Sequence, residues 1–251
     1  MTTQRGFTLI ELAIVLVIIT ILIGGLAVPL SAQIQARRIA ETKKTLEEAR
    51  ETILGYAMTH PATAAGKRHL PCPDTNGDGR EDRNLATQDC TLHHGWLPWV
   101  DLGTASQDAW GNRLIYAVNS KGAEDPSFAD KSKGFSASTK LANPLQVCST
   151  NTCPIPYNAL TLPNPYVASN VVFVVASLGP NGWGALNISG KILAQPSGLD
   201  EKKNLNADQA YVSRTPTKPD AASGEFDDLL TWISLSQLIP KVCPADSDCN
   251  P

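Results

Sequence analysis

Apolar residues are not spread evenly along this chain. They begin as a near-continuous run from Phe7 to Leu30, in which Glu11 is the only charged side chain. About 20 apolar residues cross a bilayer, so residues 7–30 are long enough for a transmembrane helix half. From 31 to 59 the pattern changes. Ile39, Leu46 and Ile53 recur every seven residues, with Ala49 and Ala57 on the same side. That spacing marks one face of an amphipathic helix. Glu41, Lys44 and Glu48 fall on another face, and Glu47 precedes Arg50 by three residues, a pairing that gives a helix modest support. The two halves predict a single helix of roughly 80 Å at about 1.5 Å per residue. Pro61 closes it, while Gly24, Gly25 and Pro29 should weaken or bend its first half.

Past Pro61 the pattern turns from helical to short and alternating. Residues 60–251 are rich in Gly, Pro, Asn, Asp and Ser, with β-rich runs at 113–118, 170–177 and 229–234. The run NVVFVVAS (170–177) is almost continuously apolar, which predicts a central strand lying under the long helix. In the last run, Trp232 is expected against the sheet, with Thr231 and Ile233 on the opposite face. Segments 119–169 and 185–225 are polar and proline-punctuated and read as surface insertions. No internal repeat is visible. The expected class is α+β: a long N-terminal helix, transmembrane then amphipathic, packed on a small antiparallel sheet with long loop insertions.

Charge narrows the functional classes. With 21 basic and 24 acidic residues the net charge is −3, so no broad basic field marks a nucleic-acid partner. Arg5 before the apolar run favours a cytoplasmic N-terminus, and the rest of the chain would lie across the membrane. The cysteines support that placement. Six of them stand close in sequence as Cys72 and Cys90, Cys148 and Cys153, and Cys243 and Cys249. An even, locally grouped set beyond a membrane segment suggests an oxidising compartment. Nearest-neighbour pairing is one of many connectivities that six cysteines allow.

A lone carboxylate in a membrane-grade run is costly unless it has a partner. A secretory signal peptide would carry its small residue after the apolar core; here Gly6 stands before it. The stretch GFTLIEL, residues 6–12, with its short leader MTTQRG (1–6), resembles the processing motif of type IV prepilins and type II secretion pseudopilins. The resemblance implies cleavage between Gly6 and Phe7 by a membrane prepilin peptidase, followed by methylation of the new N-terminus. Glu11 then becomes the fifth mature residue, and the amine of a neighbouring subunit can pair with it. Removing that partner would leave an unpaired charge in lipid, so the acid would set register during assembly.

The implied function is a structural subunit, not an enzyme, whose partners are other pilin or pseudopilin subunits and the inner membrane. Its size fits a minor subunit, since every repeat of a major one would have to accommodate the insertions. The chain would be single-pass before assembly and part of a periplasmic or cell-surface filament afterwards. An alternative is a membrane-anchored periplasmic binding protein or adhesin using the same anchor. Two further segments, DAWGNRLIYAV (108–118) and ASLGPNGWG (176–184), are similar to stretches of major pseudopilins. In those proteins, residues near the second stretch can hold calcium. Pro180 and Trp183 depart from that pattern and no acidic ligands stand in the stretch, so no metal is assigned to it.

One motif carries its own metal chemistry. Asp74, Asn76 and Asp78 alternate, followed by Gly79, Arg80 and Asp82. This is the D-x-[DN]-x-D-G pattern of a calcium loop, with the Arg80 carbonyl as backbone ligand. Calcium takes oxygen donors. Leu85 stands where a bidentate glutamate is expected, and Pro71 and Pro73 preclude an ordinary entering helix. The expectation is a short, weak site, with affinity on the order of 10⁻⁴ to 10⁻³ M; the alternative is a metal-free turn. His69, His93 and His94 with Cys72 and Cys90 match no compact zinc spacing. No HExxH, phosphate loop or nucleophile elbow is present.

Overall fold

The computed structural model describes residues 6, 8–119, 128–141, 143–154 and 164–249, with backbone alone at 24–29. In chain order its elements are α1 (Leu9–Thr59), β1 (His94–Trp96), α2 (Trp99–Leu102), β2 (Ile115–Val118) and β3 (Leu145–Cys148). They continue with β4 (Tyr166–Ser177), α3 (Leu199–Leu205), β5 (Ala210–Val212), β6 (Leu229–Ser234) and α4 (Leu235–Val242). The chain separates into two units, Met1–Glu41 and Thr42–Pro251.

The first unit contains the beginning of α1. The helix continues through Gly24, Gly25 and Pro29. Large apolar side chains from Leu9 to Ile23 are exposed, from 43% at Ile19 to 88% at Leu9. The expected transmembrane half is not shown as such: among the described residues no helix is long and apolar enough to cross a membrane. The apolar side chains that are described stop at Ile23 and resume at Leu30.

The second unit holds a six-stranded sheet ordered β1-β2-β4-β3-β5, with β6 also paired to β4. β4 is central, as its unbroken apolar run suggested, and Val171 to Ser177 are all buried. Its two faces meet different neighbours. Phe173 and Val175 join Tyr116, Val118 and Ile233 in the main core, together with Leu46, Ala49, Ile53 and Ala57 of α1. Val171 and Val174 turn the other way, toward Ala117, Val147 and Tyr211. The stripe along α1 is thus core from Leu46 onward. Fully burying a side chain such as Ile53 contributes about 1.5–3 kcal/mol. The helix stops at Thr59, two residues before Pro61.

The sheet is mixed, not antiparallel. β3 pairs with β5 in parallel, Val147 opposite Tyr211. Parallel neighbours need a crossover, and here it consists of β4 and the α3 segment. The two insertions are therefore not merely surface loops: the first contributes β3 and the start of β4, the second α3 and β5. Where β2 leaves β4, β3 resumes. The Asn119 amide donates to the Val172 carbonyl at 2.6 Å and its side chain to the Asn143 carbonyl at 2.7 Å, just before Leu145 pairs with Val171. Trp232 also differs from expectation. It is half-buried on the outer face, while Thr231 and Ile233 are the buried pair. The helix covers the inner face, and Thr231 donates to Glu47 of α1 at 2.9 Å.

Three disulfides close within the second unit: Cys72–Cys90, Cys148–Cys153 and Cys243–Cys249, with Cα separations of 5.3, 6.1 and 5.3 Å. They are the nearest-neighbour pairs. Cys72 and Cys90 are therefore not thiolate ligands, which removes the paper zinc site around His69, His93 and His94. Cys90 does lie close to His93 and Asp130, but its sulfur is bonded to Cys72.

Candidate functional site

Residues 74–82 form a tight turn whose polar groups largely satisfy one another. Asp74 is fully buried. Its carboxylate accepts from the amides of Asn76 (3.0 Å), Gly77 (2.7 Å) and Gly79 (2.7 Å). Burial raises its pKa against those donors. Asn76 accepts from the Asp78 amide at 2.9 Å, and Asp78 accepts from the Arg80 amide at 2.8 Å. Asp82 accepts from the Thr75 amide at 2.7 Å and the Asn76 side chain at 3.1 Å. Gly79, at φ +85°, lies against Trp99, and a Cβ there would stand 2.3 Å from the indole. The five expected ligands are thus neighbours in one turn, but the side chains of Asp74, Asn76, Asp78 and Asp82 are engaged in building it, and that of Arg80 pairs with Asp101.

A second acidic group was not legible in the sequence. Glu201 of α3, with Asp227 and Asp228 just before β6, brings three carboxylate oxygens within 4.8 Å of one another. They gather at the Ser177–Gly182 turn. The Asn181 amide donates to Asp227 at 3.3 Å and its side chain to Glu201 at 2.9 Å. Gly179, at φ +64°, admits this approach because a Cβ would stand 2.2 Å from Asp227 Oδ1. Asp228 accepts from Asn204 at 2.8 Å. Asp227 Oδ1 and Glu201 Oε2 are buried without a hydrogen-bond partner. Burial, then the neighbouring Glu201, pushes Asp227 up to about 7. Burial likewise lifts Glu201 and carries Asp228 well above the carboxylate range. The carboxylates beside 176–184 come from elsewhere in the chain.

The same turn is tied to the DAWGN segment. Asp108, buried, accepts from Ser177 at 2.7 Å and from the amides of Trp110 and Asn112 at 2.9 and 3.0 Å. These bonds oppose the upward shift that burial gives its pKa. Asp108 is therefore a structural acid that joins the two segments noticed in the sequence.

In the first unit, α1 opens with a reciprocal pair of contacts. The Glu11 carboxylate accepts from the Thr8 amide and hydroxyl, both at 2.8 Å, and the Glu11 amide donates to the Thr8 hydroxyl at 3.4 Å. That is a capping box, with Thr8 as N-cap and Glu11 at the third helical position. Residues 1–27 match the family model described as the prokaryotic N-terminal methylation motif. The chain carries a prepilin signal. No curated protein and no solved structure matches the chain significantly.

Within the prepilin signal, Gly6 is exposed. Phe7, the other side of the expected cut, lies outside the described residues. Glu11 has a partner inside its own chain, Thr8, which the reading of a lone acid did not foresee. The signal was there: Thr8 and Glu11 have the S/T-x-x-E spacing of a capping box, but it sits inside an apolar run that drew attention to burial instead.

Proposed function

We propose that this chain is a minor pilin-like subunit of a type IV pilus or type II secretion pseudopilus. The prepilin signal at residues 1–27 carries this reading, and the exposed apolar side chains from Leu9 to Ile23 support it. The peptidase cuts between Gly6 and Phe7, and the new amine is methylated. Residues 7–30 anchor the chain in the inner membrane with the body on the periplasmic side. On assembly, that apolar surface leaves lipid for neighbouring subunits. Glu11 plays two parts: it caps its own helix through Thr8, and it offers a negative charge to the amine of the next subunit. The three disulfides fit an oxidising compartment.

Sheared filaments provide the test. The chain should co-purify with them, beginning at Phe7. Glu11→Gln retains a capping side chain but loses the charge, so it should insert in the membrane and fail to enter filaments. Wild-type incorporation of that variant would remove the charge from the assembly role. Absence of the processed chain from filaments would favour a membrane-anchored binding protein.

For calcium, we place the ion at Glu201, Asp227 and Asp228 in preference to the 74–82 turn. In the similar major pseudopilins residues near this stretch can hold calcium, and here the two orphaned carboxylate oxygens beside it fit a cation that seeks oxygen donors. When bound, calcium would neutralise the cluster and tie α3 and the start of β6 to the turn.

A further inference from the structure

The second insertion folds over the outer face of the sheet without closing on all of it. Leu193 and Leu205 pack with Ile115, Ala176 and Leu178. Beside them lies a cleft of about 820 Å³, within the size range of small-molecule sites. Trp96 and His94 come to it from β1, and Gln195, Asn206, Lys202 and Lys203 from the insertion. Among the described residues no carboxylate lines it, although the chain has 24 acidic residues. The two lysines differ. Lys203 is held by Asp208 at 2.6 Å. Lys202 is exposed and has no ion pair among the described residues.

The cleft shares Leu92 and His94 with a smaller cavity of about 270 Å³ that Tyr211 also lines. The two rings stack 6.5 Å apart. His94 Nε2 and the Tyr211 hydroxyl are buried without hydrogen-bond partners. Burial lowers the His94 pKa, and a neutral imidazole, like a hydroxyl, serves polyols that both donate and accept.

An extended peptide finds no free edge here. β1 is already bonded to the Asp74 backbone, with Asp74 N–H to Trp96 O at 2.9 Å and Trp96 N–H to Asp74 O at 2.7 Å. β5 is capped by the Asn204 side chain, which bonds the Val212 amide and carbonyl at 2.6 and 3.0 Å. What remains, among the described residues, is an aromatic side chain, amides and one cation without an ion pair.

We propose that this cleft binds a short acidic saccharide, a hydroxyl-rich ring bearing a carboxylate. The apolar face of the sugar packs on Trp96. Its hydroxyls meet Gln195, Asn206 and the His94 side, and its carboxylate meets Lys202. The proposal concerns the globular unit and holds whether or not the chain enters a filament.

Titration calorimetry on the full chain in detergent tests it. The acidic probes are trigalacturonate and sialyllactose; galactotriose and lactose are their neutral counterparts. At least one acidic probe should bind saturably, with its neutral counterpart about tenfold weaker, the scale of one charge-assisted hydrogen bond. Lys202→Gln, at an exposed side chain, should erase that preference. Gln195→Ala should weaken both members of the pair. Binding of neither acidic probe, equal binding of acid and neutral forms, an unchanged preference in Lys202→Gln, or equally tight binding of triglutamate would each overturn the proposal.

Discussion

One helix passes through two different worlds. In Leu9–Ile23 the apolar side chains of α1 face outward, and every large one is exposed. In Leu46–Ala57 the same helix buries Leu46, Ala49, Ile53, Leu54 and Ala57 in the core of its own domain. Both stretches are helical and carry large apolar side chains. What differs is the polar spacing. The second stretch alternates its apolar stripe with Glu47, Glu48, Arg50 and Glu51, and folds back nothing but its stripe. The first has no polar face, and its large apolar side chains are all exposed.

The largest expected effect breaks the comparison at its outer end. Replacing Gly6 with a bulky residue should block leader removal, leaving intact mass at the full 251 residues and filaments without the chain. The body should be untouched, with all three disulfides formed on non-reducing peptide mapping. Processing at wild-type rate would contradict the assigned cut.

A second pair of substitutions sharpens the contrast along α1. Ile53→Ala should cost about 2–5 kcal/mol, the usual range for such a core truncation. Leu16→Ala, an exposed position, should leave the unfolding of the globular unit unchanged and show itself only in filament yield. Equal losses of stability would mean that both stretches serve the same core.

Calcium offers a smaller effect, confined to the second unit. At ten times its dissociation constant it should add about 1.4 kcal/mol of stability by mass action. Asp228→Asn should abolish the gain, whereas Asp78→Ala should keep it; the reverse pattern would return the ion to the 74–82 turn. Thermal melts of the full chain in detergent with calcium or chelator distinguish these outcomes.

The same cluster also sets a pH dependence. Folded Asp227 holds its proton to about 7, against 3.8 for the ordinary group. Between those values the folded state binds the extra proton. The stability this group contributes is therefore full below 3.8 and disappears as pH rises through 7. In chelator, wild type should lose stability relative to Asp227→Asn across that window. A pH-independent difference between the two proteins would show that the cluster does not hold the proton.

The helix, its end before Pro61, the central strand and β6 were legible because their apolar spacing is long enough to carry a period. β1, β3 and β5 were not. Each is three or four residues long and owes its strand conformation to neighbours rather than to its own pattern. Trp232 was placed on the wrong footing because its size outweighed the fact that α1 covers the Thr231 and Ile233 face. Of the site residues, Gly6 and Glu11 stand in one short motif. Glu201 and the Asp227–Asp228 pair come from separate elements, and only the fold brings them to one turn.

The three disulfides span 18, 5 and 6 residues, whereas the sheet joins strands far apart in the chain. Short spans are the ones a moving chain can close first, since loop closure costs grow with length. A polypeptide emerging from its N-terminus would meet an oxidant with each pair already near its mate. Cys72–Cys90 can close before β4 has emerged, and Cys243–Cys249 needs only the last residues to arrive. Local closure of this kind would leave the long-range sheet with cysteines no longer free to choose a wrong partner.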